Sequence, residues 1–200
     1  MLRKATPERL GAFSDGVFAV LITVLVLELR PPAQPSYQAL LALWPTWLSY
    51  AVSYVFIAIV WVNHHYLLRF AKEATVRLLW INFAHLFAMS LLPLSTAWMA
   101  KSELAAQPVS FYAVVFFLVN GTYVLLSREL IEADPAAEGP PGIRRALHRR
   151  SIPTLILFGV AALVALAHPL AGLAICIGCL AFYLKPEPVG TAAAPAARAE

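Results

Sequence analysis

The stretch Arg9-Leu10-Gly11-Ala12-Phe13-Ser14-Asp15-Gly16-Val17-Phe18-Ala19-Val20-Leu21-Ile22-Thr23-Val24-Leu25-Val26-Leu27 decides the fold class. Its apolar run, Leu10–Leu29, is broken by few polar side chains, and about 20 helical residues at 1.5 Å each cross the ~30 Å hydrocarbon layer of a membrane. Apolar residues follow one another without alternation. Inside lipid a helix, which satisfies its own backbone, is therefore the structure that fits. The run is not a cleaved signal peptide: it carries Asp15 and Glu28, and no small-residue cleavage site precedes Pro31-Pro32.

Outward from this segment, five more apolar stretches follow: Trp44–Tyr66, Leu78–Ala100, Val109–Ser127, Ile152–Ala167 and Pro169–Leu184. The last two are short, and His168-Pro169 between them leaves room for a tight turn. Of the 200 residues 60% are hydrophobic and only 13% charged, against about 25% charged in an ordinary soluble domain. The mean hydropathy is +0.73. A soluble globular enzyme and a disordered chain are both excluded. The expectation is an all-α membrane protein with six transmembrane helices in one domain over residues 1–185. An Ala/Pro-rich tail over 186–200 is expected to be disordered, and the Pro/Gly-rich stretch Asp134–Gly142 to be a flexible loop. No internal repeat, phosphate-cradling glycine loop or metalloprotease helix motif is present.

The net charge of +4 could suggest nucleic acid until the basic residues are located. Every Lys and Arg except Arg30 and Lys101 falls before the first segment or in the connectors and tail on that same side. Cytoplasmic loops retain Lys and Arg, so both termini are expected in the cytoplasm of a multi-pass cell-membrane protein. Contact of Arg144, Arg145, Arg149 and Arg150 with anionic lipid is compatible with this, but topology alone accounts for them. No nucleic-acid partner is implied. Cys176 and Cys179, both in an apolar run, give neither a disulfide framework nor a zinc site and read as small packing residues.

Polar chemistry gathers at the cytoplasmic ends of the first three segments: Arg9, Ser14 and Asp15; Trp61, Asn63, His64 and His65; Arg77, Trp80, Asn82 and His85. Residues three or four apart share a helix face, so Trp61, His64 and His65 are expected on one side and Asn82 and His85 on another. A carboxylate within a membrane faces the protein interior with a partner. Asp15 is expected to be buried, structural, paired with Arg9, His64 or His65, and accepting from Asn82. Arg9, Ser14, Asp15, Trp61, His64, His65 and Asn82 thus form an expected clamp between helices. Adjacent residues point about 100° apart on a helix, so His64 and His65 do not make a metal site, and no metal or other cofactor is expected.

Gly16, Val20, Thr23, Val24 and Leu27 fall at i, i+4, i+7, i+8 and i+11, a single stripe on the first helix. It reads either as a packing seam, with Thr23 bonded back to its own helix, or as a pore wall with a hydroxyl ring and apolar collars.

The string Arg9-Leu-Gly-Ala-Phe13-Ser14-Asp15 resembles the R-x-x-x-F-S-D signature of the endolysosomal-type potassium channels, the transmembrane protein 175 family. Trp61-Val62-Asn63-His64-His65 and Leu79-Trp80-Ile81-Asn82 are similar to that family's second and third helices. The resemblance implies a one-repeat prokaryotic member, a homotetramer in which helix 1 lines a central pore without a T-V-G-Y-G filter. It implies an apolar gate at Val20, where the family typically carries isoleucine, further apolar layers at Val24 and Leu27, and a threonine layer at Thr23. The expected function is a potassium-permeable cation channel in the lipid bilayer, with potassium as permeant ion and no enzymatic activity. The competing reading is a proton-coupled secondary transporter built on Asp15, His64 and His65. Against it stands the lack of paired broken helices in matched halves.

Overall fold

Thr6 stops the chain before the first helix, its hydroxyl accepting from the Arg9 N–H at 3.4 Å. Pro7 follows in the first turn, where a missing N–H is tolerated. The helix that starts there, α1 (Pro7–Leu27), opens an all-helical chain. The computed structural model describes residues 6–131 and 143–184, and the side chains of these outside 143–150 and 182–184. The expected loop at Asp134–Gly142, the tail over 186–200 and the basic side chains of Arg144, Arg145, Arg149 and Arg150 lie outside these described parts.

Among the described residues the remaining helices are α2 (Tyr37–Ala42), α3 (Trp44–Leu68), α4 (Val76–Ser90), α5 (Leu92–Lys101), α6 (Ala106–Ile131), α7 (Ile143–Ala167) and α8 (Pro169–Leu184). Four stretches are long and apolar enough to cross a membrane: α1, α3, the α4–α5 pair and α6. The apolar parts of α7 and α8, Ser151–Ala167 and Pro169–Ala181, are shorter.

Two features differ from the sequence expectation. The third apolar segment is not one helix but breaks at Leu91, whose N–H reaches back three residues to the Ala88 carbonyl at 3.3 Å. Pro93 explains the break, since it has no N–H to give the preceding turn. Ser95 and Thr96 hydroxyls donate to the Leu92 carbonyl there, at 2.9 and 2.7 Å. The second difference is α2, a single capped stretch that precedes α3. Ser36 caps it by accepting from the Ala39 N–H at 3.2 Å.

α6 is the centre of the chain, with α3, α4, α5, α7 and α8 packed around it. The core there is aromatic. Phe56 and Phe116 stack with centroids 3.7 Å apart, Phe158 meets Phe116 edge-on at 5.3 Å, and Tyr112 lies 4.5 Å from Phe116. The turn expected at His168-Pro169 is present, and α8 then crosses α7 at close range. A Cβ on Gly172 would lie 2.6 Å from the Ala165 Cβ, so only glycine admits this approach. Cys176 and Cys179 are free and buried in that packing. In contrast, α1 sits at the edge of the chain, against α3, α4 and α5.

Candidate functional site

An edge helix has two kinds of surface, and α1 divides them along its length. Leu10, Ser14, Phe18, Leu21 and Leu25 are buried. The stripe singled out from the sequence lies on another side. Val20 is 58% exposed, Val24 40% and Leu27 76%; Gly16 and Thr23 are exposed as well. A Cβ on Gly16 would meet nothing within 4 Å. The stripe is therefore no packing seam within one chain. The Thr23 hydroxyl does bond back to its own helix, donating to the Val20 carbonyl at 2.7 Å. Its hydroxyl oxygen retains acceptor capacity.

The buried side of α1 is held by a hydrogen-bonded chain whose direction is fixed by its ends. Ser14 Oγ donates to the Leu10 carbonyl at 2.9 Å. It must then accept from Asn82 Nδ2, at 3.0 Å. Asn82 Oδ1 accepts from His64 Nε2 at 2.7 Å. All three side chains are buried, and the chain joins α1, α4 and α3.

Asp15, one position and about 100° further round, leaves this chain. It is half-buried and accepts from Trp61 Nε1 at 2.8 Å. Three expectations about it are corrected here. Asp15 is not fully buried in the single chain. The Asn82 amide goes to Ser14, because Ser14 and not Asp15 faces α4. Arg9 stays exposed and forms no ion pair with Asp15 among the described residues. Six positions apart on one helix, the two side chains project from different faces. His65 is also outside the clamp: it is exposed and lies against the Trp61 ring, centroids 5.8 Å apart, while its neighbour His64 points inward.

Two clusters that sequence reasoning did not assemble complete the site. His85 stacks parallel on His64, with centroids 5.6 Å apart, and its Nδ1 meets Thr122 Oγ1 of α6 at 3.0 Å. Thr122 directs its own hydroxyl proton to the Leu118 and Val119 carbonyls, at 2.9 Å each, so His85 Nδ1 is the donor. Nearer the other ends of the helices, Ser53 Oγ bonds Thr96 Oγ1 at 2.7 Å and Tyr112 Oη at 2.8 Å, joining α3, α5 and α6. Pro93 signalled a helix break near this second cluster, but not which hydroxyls gather there. At the far end of α1, Glu28 pairs with Lys101 at 3.2 Å. Among the described residues no three His, Cys, Asp or Glu side chains come together as metal ligands.

Residues 9–93, the part that holds nearly all of α1, the clamp and α4, match the family model described as "Endosomal/lysosomal potassium channel TMEM175". The chain is 33% identical over 205 residues to a potassium channel of Streptomyces collinus, covering 94% of this chain and 97% of that one. It is 37% identical over 129 residues to a potassium channel of a Chryseobacterium species, covering 64% of this chain and 67% of the relative. The chain belongs to the TMEM175 family. The crystal structure of a lysosomal potassium-selective channel TMEM175 homolog from Chamaesiphon minutus superposes with a TM-score of 0.76, at 25% identity, over 89% of this chain and 96% of that one. TMEM175 relatives are ion channels rather than enzymes, and the apolar helices fit a membrane protein. A chicken relative named as an endosomal/lysosomal proton channel TMEM175 is 30% identical, but the match covers only 29% of its length.

Proposed function

We propose that this chain forms a homotetrameric, potassium-permeable cation channel of the cell membrane. Six helical crossings per subunit leave both termini cytoplasmic, and α1 is innermost. The exposed stripe of α1 carries the reading. One helix cannot enclose an aqueous path, and a closed ring of copies is the usual solution. In such a ring Val20, Val24 and Leu27, which are exposed in the single chain, line the axis as apolar collars.

A hydrated cation loses water at an apolar collar and receives nothing back. The collars at Val20 and Leu27 therefore hold the closed state. Thr23 is different. Its proton is committed to the Val20 carbonyl, so each subunit turns oxygen lone pairs, not a proton, toward the axis. Four such oxygens return part of the lost hydration. Potassium is the larger ion and sheds water at lower cost than sodium, so partial dehydration favours it. Valine at the family's isoleucine position widens the collar by one methylene per subunit. Ser14, Asn82 and His64, together with the Asp15–Trp61 bond, hold the buried side of α1 and so set the angle at which the stripe meets the axis.

The transporter reading is less supported. Asp15 bonds Trp61, His64 bonds Asn82, and His65 is exposed, so these three groups do not form one hydrogen-bonded proton path. The test is a planar-bilayer recording of the purified protein between potassium and sodium solutions, with a second arm under a pH gradient. Discrete currents reversing toward the potassium potential are expected. Electrogenic flux without discrete openings, driven by the pH gradient, would replace the channel with a carrier.

A further inference from the structure

α2 is the one helix among the described residues with no buried side chain. Its Tyr37 is 86% exposed and Leu41 74%, and Trp44, where α3 begins, is 54% exposed. Tyr37 and Leu41 fall at i and i+4 on α2, and Trp44 follows just past the junction at Leu43, so three exposed apolar side chains lie close in sequence on either side of that junction. Exposed apolar side chains like these would be a liability in water, and their surroundings point to another medium. No Asp, Glu, Lys or Arg occurs from Pro31 to Leu68. α1 ends at Leu27 after 21 residues and α3 starts at Trp44, so α2 hangs between the same-side ends of two membrane-crossing helices. At 1.5 Å per residue α1 spans about 30 Å, the full hydrocarbon thickness, which puts α2 at the depth where lipid meets water.

We propose that α2 with the first turn of α3 is an interfacial anchor, its Tyr37, Leu41 and Trp44 side chains inserted among lipid headgroups and upper acyl chains. The ring heteroatoms fit this partner. Trp47 Nε1 is used internally, donating to the Leu40 carbonyl at 3.3 Å and tying α2 to α3. Trp44 Nε1 and Tyr37 Oη have no protein partner among the described residues and are positioned to bond ester and phosphate oxygens. Amphipathic aromatic side chains favour this layer, with rings in the apolar side and polar tips toward water. Trp98, 45% exposed near the end of α5, extends the same belt. Anchored this way, α2 fixes the far end of α1 to the membrane surface through a connector stiffened by Pro31, Pro32 and Pro35. The inference needs only the membrane placement of α1 and α3, and stands apart from the pore assignment.

The experiment uses the full chain in phosphatidylcholine vesicles, with nitroxide labels on Leu41→Cys, Tyr37→Cys and Gln38→Cys. Cys176 and Cys179 are buried, and the unsubstituted protein is the labelling control. Labels at 41 and 37 are expected to collide several-fold more with oxygen, which partitions into lipid, than with a water-soluble nickel chelate. The label at 38, off the face that Tyr37 and Leu41 share, should reverse that order. Labels at 37 and 41 open to the nickel chelate would overturn the anchor by placing α2 in water. Protection from both reagents, with spin broadening between copies, would overturn it in favour of a subunit contact. If labelling disturbs α2, quenching by phosphatidylcholines brominated at different depths decides, read as the difference between the parent protein and Trp44→Phe. Trp44 should be quenched most by shallow bromines, and no quenching at any depth would refute the anchor.

Discussion

On one side of α1, Leu10, Ser14, Phe18, Leu21 and Leu25 are buried against neighbouring helices, while Gly16, Val20, Thr23, Val24 and Leu27 face away from the chain. Both sides are apolar with a single hydroxyl, so hydrophobicity does not tell them apart. In a soluble protein the outward side would be charged; in a membrane it need not be. What separates the sides is shape and bonding. The inward side carries the large Phe18 and the Ser14 hydroxyl that meets Asn82. The outward side is smaller, and its hydroxyl bonds only its own helix.

The largest expected effect comes from making the same kind of cut on each side. Phe18 is 2% exposed, and Phe18→Ala removes a packed ring at a cost of about 3–5 kcal/mol. Val20→Ala, on the outward side, should leave folding of the subunit nearly unchanged. Thermal unfolding in detergent compares the two directly. Equal losses would mean that the outward side is packed in the subunit after all.

The next effect concerns the clamp. Asn82→Leu keeps the branched outline but strands the His64 Nε2–H, a buried donor, at about 1–3 kcal/mol. Asp15→Ala removes the charged acceptor of Trp61 and should cost about 1.5–3 kcal/mol. Both should lower the yield of assembled protein on size exclusion while leaving ion preference of the surviving channels unchanged. A fully assembled Asp15→Ala protein with altered selectivity would move Asp15 from the supporting side of α1 to the conducting side.

These two residues also mark how far the sequence was legible. The position of α1, its stripe and the polar residues Ser14, Asp15, Trp61, His64 and Asn82 could be singled out from spacing and from the cost of polar groups in lipid, while Arg9 and His65 were assigned to the clamp and lie outside it. The pairing could not be read this way. Ser14 and Asp15 are adjacent, and which one faces α4 depends on the rotation of α1, which an apolar pattern on both sides leaves undetermined. Arg9 and Asp15 looked like partners by charge, yet their separation on the helix sends them apart. Pro93 was visible in the sequence, but the Ser53–Thr96–Tyr112 cluster needs three helices brought together before it exists. α2 escaped notice because six residues are too few to show a helical period.

Polar substitutions on the outward side should act on current rather than stability. If Val20 and Leu27 line the proposed pore, Val20→Asn or Leu27→Asn gives the cation a partner at an apolar collar, so conductance should rise and selectivity should leak. Leu21→Asn, on the buried side, should instead reduce folded protein. If conductance ignores Val20 and Leu27 but responds to exposed positions on another helix, such as Phe83 or Phe87 of α4, the pore wall is not α1.

The smallest effect, and the sharpest, is at Thr23. Thr23→Val is nearly isosteric and exchanges the hydroxyl for a methyl. The lost bond to the Val20 carbonyl is a local one within an intact helix, so stability should change by less than about 1 kcal/mol. In the proposed tetramer, however, the four oxygens at the axis are lost together. Potassium then crosses the collars with no partial rehydration between them, and its advantage over sodium falls toward what collar size alone provides. Under bi-ionic conditions the reversal potential should shift toward zero while assembly, read by mass in mild detergent, stays tetrameric. Thr23→Ser keeps the oxygen and should retain most of the preference, which separates the hydroxyl from the shape of the side chain. A Thr23→Val channel with unchanged reversal potential would leave the apolar collars as the whole filter and reduce Thr23 to a residue bonded to its own helix.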